Sequence, residues 1–93
     1  MTRRLRRLWQ RARRQPRGWS AVELDELARL LGFVEQSGRG KGDPRLYVHP
    51  NGFVWGFDPR GDVKPPYVRE LVRLARKHGL VEDSETDKEP GHD

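Results

Sequence analysis

Arg45-Leu46-Tyr47-Val48-His49-Pro50-Asn51-Gly52-Phe53-Val54-Trp55-Gly56-Phe57 is the stretch whose reading decides the fold. Apolar and aromatic residues of high β propensity flank a Pro-Asn-Gly turn, so it reads as two antiparallel strands, Arg45 to His49 and Gly52 to Phe57. Phe53, Trp55 and Phe57 share one face by the period-2 rule and supply much of a core. Upstream, Phe33-Val34-Glu35-Gln36 is a short first strand. It is joined to the hairpin by Ser37-Gly38-Arg39-Gly40-Lys41-Gly42-Asp43-Pro44.

Helices bracket these strands. Ser20 and Glu23 form a Ser-x-x-Glu capping box, with Trp19 and Leu24 placed to close a hydrophobic staple around it. Leu24, Leu27, Ala28 and Leu31 repeat at i, i+3, i+4 and i+7, and Gly32 stops the helix as a C′ residue. Asp58-Pro59-Arg60-Gly61-Asp62 is a turn. Lys64-Pro65-Pro66 then opens a second helix, with Pro66 suited to the first helical position. Its expected buried stripe is Val68, Leu71, Val72 and Ala75, and Gly79-Leu80 closes it in a Schellman-like end. Arg69, Arg73 and Arg76 form a basic ridge away from that stripe. The fold class is α+β: two helices on one face of a three-stranded antiparallel sheet in the order αβββα.

Three segments follow from the charge. Residues 1–18 hold eight arginines and no acid, residues 81–93 hold six acids and one lysine, and the whole chain carries a formal net charge of +5. The first is a basic arm, the second (19–80) the folded domain, and the third an acidic disordered tail. Within the arm Leu5, Leu8, Trp9 and Ala12 make a short apolar stripe, so it reads either as a solvated, frayed arm or as a helix that binds RNA or a partner. Basic charge in this distribution suits a polyanionic ligand.

Several classes are excluded. The chain has no cysteine, which removes a disulfide framework and a thiolate metal site and fits a reducing cytosol. His49, His78 and His92 are too scattered for a zinc cluster, and no cofactor is expected. No apolar run approaches the ~20 residues that span a bilayer. Residues 2–17 are not followed by an apolar segment, so they are not a secretory signal. The expected location is the cytoplasm.

The glycine-rich loop carries the chemistry. Glycines let backbone N–H groups turn toward an anion, and Arg39 and Lys41 add charge, so a phosphate can rest there. No Ser or Thr follows Lys41 and a strand comes next, so the loop is neither a Walker A motif nor a dinucleotide fingerprint. The expected phosphate contacts are Arg39, Lys41, Arg45 and Lys64, with Arg69 and Arg73 following a nucleic-acid backbone along the helix ridge. Tyr47 and His49 are candidate base or ribose contacts, and His78 complements the C-terminal end of its helix.

Leu31-Gly32-Phe33, the glycine-rich loop, Leu46-Tyr47-Val48-His49-Pro50 and Pro59-x-Gly61-x-x-Lys64-Pro65-Pro66-Tyr67-Val68 together resemble the HicA family of toxin–antitoxin RNases. The resemblance covers residues 19–80. It implies a fold like the double-stranded-RNA-binding domain, an RNA substrate cleaved by an mRNA interferase activity, and a HicB-type antitoxin as partner. In that family a Gly-Ser-His element at the start of the middle strand supplies the catalytic histidine. Gly42, Asp43 and Pro44 align with those three positions, so the expected catalytic position holds Pro44. Proline has no titratable group to take a proton from a 2′-hydroxyl. His49 lies five residues on, an odd offset that points it to the opposite face of the strand. Three readings stay open: a catalytically silent relative that binds RNA or an antitoxin, an RNase using His49 with Lys41 and Arg45, or a histidine replaced to make a toxic protein producible. The expectation is an RNA-binding protein with ribonuclease activity lost or weakened. The rival reading is a non-catalytic module that meets an acidic partner or antitoxin through its basic surface.

Overall fold

Thr2 and Ser20 each open a helix by the same device, a side-chain oxygen accepting a backbone N–H three residues on. The computed structural model describes residues 2–36 and 44–81. Helix α1 (Arg3–Arg14) starts where Leu5 N–H donates to Thr2 Oγ1, and α2 (Ala21–Leu30) starts with both halves of the Ser20–Glu23 capping box in place. The end of α2 is a full Schellman turn: Gly32 lies at φ +104°, its N–H donates to Arg29 O and the Phe33 N–H to Ala28 O.

Strand β1 (Val34–Glu35), β2 (Arg45–Val48) and β3 (Val54–Phe57) form one antiparallel sheet in the order β1-β2-β3. Val48 pairs with Val34 on one side and Val54 on the other, and Tyr47 with Glu35 and Trp55. Each strand is a residue or two shorter than the pattern of apolar residues suggests. His49 and Phe53 instead belong to the hairpin turn, where His49 N–H donates to Phe53 O and Gly52 N–H to His49 O.

Helix α3 (Pro65–Lys77) is capped by Lys64, which puts Pro65 at the first helical position and Pro66 at the second, one residue earlier than expected. Leu80 N–H reaches Ala75 O and closes the predicted Schellman end at Gly79. The buried stripe is Val68, Leu71, Leu74 and Ala75. Val72 is only half-buried, because the centre of the stripe runs between Leu71 and Ala75 and leaves it on the margin.

The larger difference concerns α1. Its stripe of Leu5, Leu8, Trp9 and Ala12 is buried in the same core as Leu24, Leu27, Trp55, Phe57 and Leu71. The helix packs chiefly on α2 and α3, while α2 touches β1 and α3 touches β3. Two arginines pin it. Arg4 Nε and a terminal nitrogen grip both Glu26 oxygens at 2.7 Å, and Arg11 bonds Glu23 at 2.9 Å and the Gly18 carbonyl at 2.9 Å while lying over the Trp19 ring. The architecture is therefore α+β with three helices and a three-stranded antiparallel sheet, and the first helix is part of the packed body.

Among the described residues, helices cover one face of the sheet and not the other. On the other, Val34, Val48 and Val54 stand in register, with Val34 and Val54 more than half exposed.

Candidate nucleic-acid interface

Pro44 is the first described residue of the segment that leads into β2, and it is exposed. Arg39 and Lys41 lie outside the described residues. The next inward-facing side chains, Arg45 and Tyr47, join a polar cluster with α2. The buried Tyr47 hydroxyl donates to Asp25, which also receives Arg29 at 2.8 Å and faces Arg45 at 3.8 Å. Arg29 reaches on to Glu35 at 2.8 Å. Burial works against ionisation of Asp25, but hydrogen bonds from Arg29 and Tyr47 outweigh it and hold the carboxyl below its usual range. Burial first, then the Asp25 carboxylate, pushes the Tyr47 phenol well above its usual value. The Arg45 guanidinium, held by Tyr47 and lying 5.9 Å above Phe57, is about one-third exposed.

The cluster corrects one expectation. Tyr47 is fully buried, against Trp55 and Phe57, and offers no face on which a base can stack. Paired with Trp55 across the sheet, it lies on the aromatic face of the hairpin, and that face is the core. Arg45 remains partly open to an anion, with some of its charge already met by Asp25.

His49 is the second correction. It is 9 % exposed, with Phe33 edge-on at 5.2 Å and Phe53 stacked at 4.7 Å. Its Nδ1 accepts the Asn51 N–H at 3.1 Å, so in the neutral ring Nε2 carries the proton, directed at the Leu31 carbonyl 3.2 Å away. Both ring nitrogens are committed to holding the turn and the end of α2. The ring is thus turned into the fold, with neither nitrogen presented to solvent as a ribose contact would require. His78, at the C-cap of α3, stacks on the other side of Phe53 at 3.9 Å.

Exposed cations gather elsewhere. Lys64 caps α3 and is exposed, and Arg69 and Arg76 stand exposed along the same helix with no ion pair among the described residues. Arg73 is exposed but clamps Glu70 at 2.6 and 3.0 Å, which reduces its worth as a phosphate contact. On α1, Arg3, Arg7 and Arg14 are exposed and likewise without an ion pair among the described residues. Spacings of four and seven put the three on one face, opposite the buried stripe. These side chains stand on a helix packed into the body, not on a separate arm of residues 1–18. The signal was present in the four apolar residues at helical spacing.

No protein-family model, curated protein or solved structure matches this chain at a significant level. Among the described residues no helix is long and apolar enough to cross a membrane, and no group of three or more His, Asp or Glu side chains is arranged to hold a metal ion.

Proposed function

We propose that this protein is a HicA-like RNA-binding protein whose ribonuclease activity is lost or greatly weakened. The observation that carries this reading is the state of the two positions where a base would sit. Pro44, at the start of β2, has no group that titrates, and the one histidine within the sheet region has both nitrogens bonded inside the fold. The α2-β1-β2-β3-α3 part is read here as the double-stranded-RNA-binding-like unit, with RNA held by Lys64, Arg45 and the arginines of the helices, together with Arg39 and Lys41. A HicB-like antitoxin is the corresponding protein partner.

The test restores the missing group. Purified Pro44→His protein is expected to cleave RNA where the unchanged chain does not, and expression of that variant is expected to arrest growth. Cleavage by the unchanged chain that disappears in His49→Ala would overturn the reading. So would RNA affinity that a Lys41→Glu, Arg45→Glu double change leaves untouched at low salt.

One observation favours a second reading, a non-catalytic interaction module. Val34 and Val54, exposed among the described residues on the sheet face away from the helices, suit a protein partner better than a polyanion. Such a module would bind its acidic partner or antitoxin without retaining RNA.

A further inference from the structure

We propose that α1 and α3 together form a cationic bed for the phosphate backbone of a double-stranded nucleic acid. The inference rests on the RNA-binding reading above and specifies which surface binds and in what form.

Orientation comes first. On α3, Tyr67 and His78 mark the side toward the sheet: the Trp55 indole donates to Tyr67 O at 3.2 Å, and His78 stacks on Phe53. Arg69 and Arg76 lie half a turn round the helix from those two residues and so point away from the sheet. Helix α1 packs on α2 and α3 through Leu5, Leu8, Trp9 and Ala12, which turns Arg3, Arg7 and Arg14, on its opposite face, out to solvent. Two rows of cations therefore stand on two packed helices, whose axes at such contacts lie about 8–10 Å apart. At ~1.5 Å rise per residue, Arg3 to Arg14 spans about 16 Å and Arg69 to Arg76 about 10 Å.

Charge comes second. The described residues carry sixteen Lys or Arg against seven Asp or Glu. Most of those acids are engaged away from this surface. Glu23 and Glu26 grip Arg11 and Arg4 on the α2 flank, Asp25 and Glu35 hold Arg29, and Asp58 holds Arg60, whereas Glu70 lies on α3 itself and holds Arg73. The arginines of the two rows have no such partner among the described residues.

The form of the ligand follows from what the surface lacks. Single strands are held by stacking bases on exposed aromatic rings. Among the described residues every Trp is buried, as are Phe33, Phe57 and Tyr47, while Phe53 is sandwiched between two imidazoles and Tyr67 is half-buried on the sheet side. Two rows of guanidinium groups without a stacking platform suit a duplex, whose phosphates line both sides of a groove. Such contact is to the backbone and carries no sequence preference.

The experiment uses the full chain and fluorescence anisotropy with a blunt RNA duplex, a DNA duplex of equal length, a single strand of the same sequence, and polyglutamate, across a salt series. Five released counterions predict a slope of log K on log salt of about −4.5, and Arg3→Glu, Arg7→Glu, Arg14→Glu is expected to reduce it by about 2 to 3 and to weaken duplex binding at least ~10-fold at low salt. Arg69→Glu, Arg76→Glu is expected to have a smaller effect of the same kind. Matching Arg→Gln variants, with melting curves, separate lost charge from lost structure. RNA binding that the α1 variants leave unchanged overturns the inference while the RNA-binding reading stands. Failure to bind any RNA overturns that reading, and duplex DNA binding that depends on the same arginines would then still support the bed. A single strand or polyglutamate held as tightly as duplex overturns it.

Discussion

Gly32 lies at φ +104°, and a Cβ built there would stand 2.8 Å from His49 Nε2. Gly32→Ala is therefore strained in its backbone and displaces a ring whose two nitrogens hold the end of α2 and the hairpin turn, an expected loss of about 1–3 kcal/mol in urea unfolding. Tyr47→Phe removes only the hydroxyl that satisfies Asp25 in a buried setting and should lose about 1–2 kcal/mol while leaving RNA affinity alone. The same pair sets a pH dependence. Asp25 is held below its usual value when folded, so its contribution is present above about pH 4, the unfolded value, and fades as pH falls through the folded one. Tyr47 is raised, so its contribution is complete below about pH 10 and is lost as pH climbs further. Melting temperature against pH is expected to flatten on the acid side in Asp25→Asn and on the alkaline side in Tyr47→Phe.

At the scale of elements, α1 behaves as a wall of the core. Trp9 and Ala12 are as buried as Leu24 and Leu71, and Trp9→Ala should cost about 3–5 kcal/mol, lowering the melting temperature by roughly 15 °C or more. Against a total stability of about 5–15 kcal/mol, deleting residues 2–18 is expected to abolish cooperative melting. A truncated chain that melts as sharply and as high as the full one would show that α1 is dispensable. Helix boundaries were plain in the sequence: Ser20 with Glu23, and Gly32 and Gly79 past the two C-termini, act through local hydrogen bonds that need no distant partner. The role of α1 was not, since Leu5, Leu8, Trp9 and Ala12 state that one face seeks apolar cover but not where that cover lies.

Over the whole molecule the electrostatics are divided by sequence. Removing residues 82–93 takes away six acids and one lysine and moves the formal net charge from +5 to +10. That truncation is expected to raise RNA affinity several-fold at low ionic strength, with the gain vanishing at ~1 M salt as the Debye length shrinks to ~3 Å. Unchanged affinity at low salt would show that the tail's charge does not reach the binding surface. The amino-acid sequence by itself determined the α+β class, the hairpin, the capping signals and the basic balance, because each is written in composition or in neighbours a few residues apart. Only the tertiary structure decided that Tyr47 and His49 are turned into the core, that α1 belongs to the body, and that Arg3, Arg7, Arg14, Arg69 and Arg76 stand exposed with no ion pair among the described residues. Those outcomes depend on which apolar face closes against which, a choice made between segments far apart in the chain and fixed when they pack.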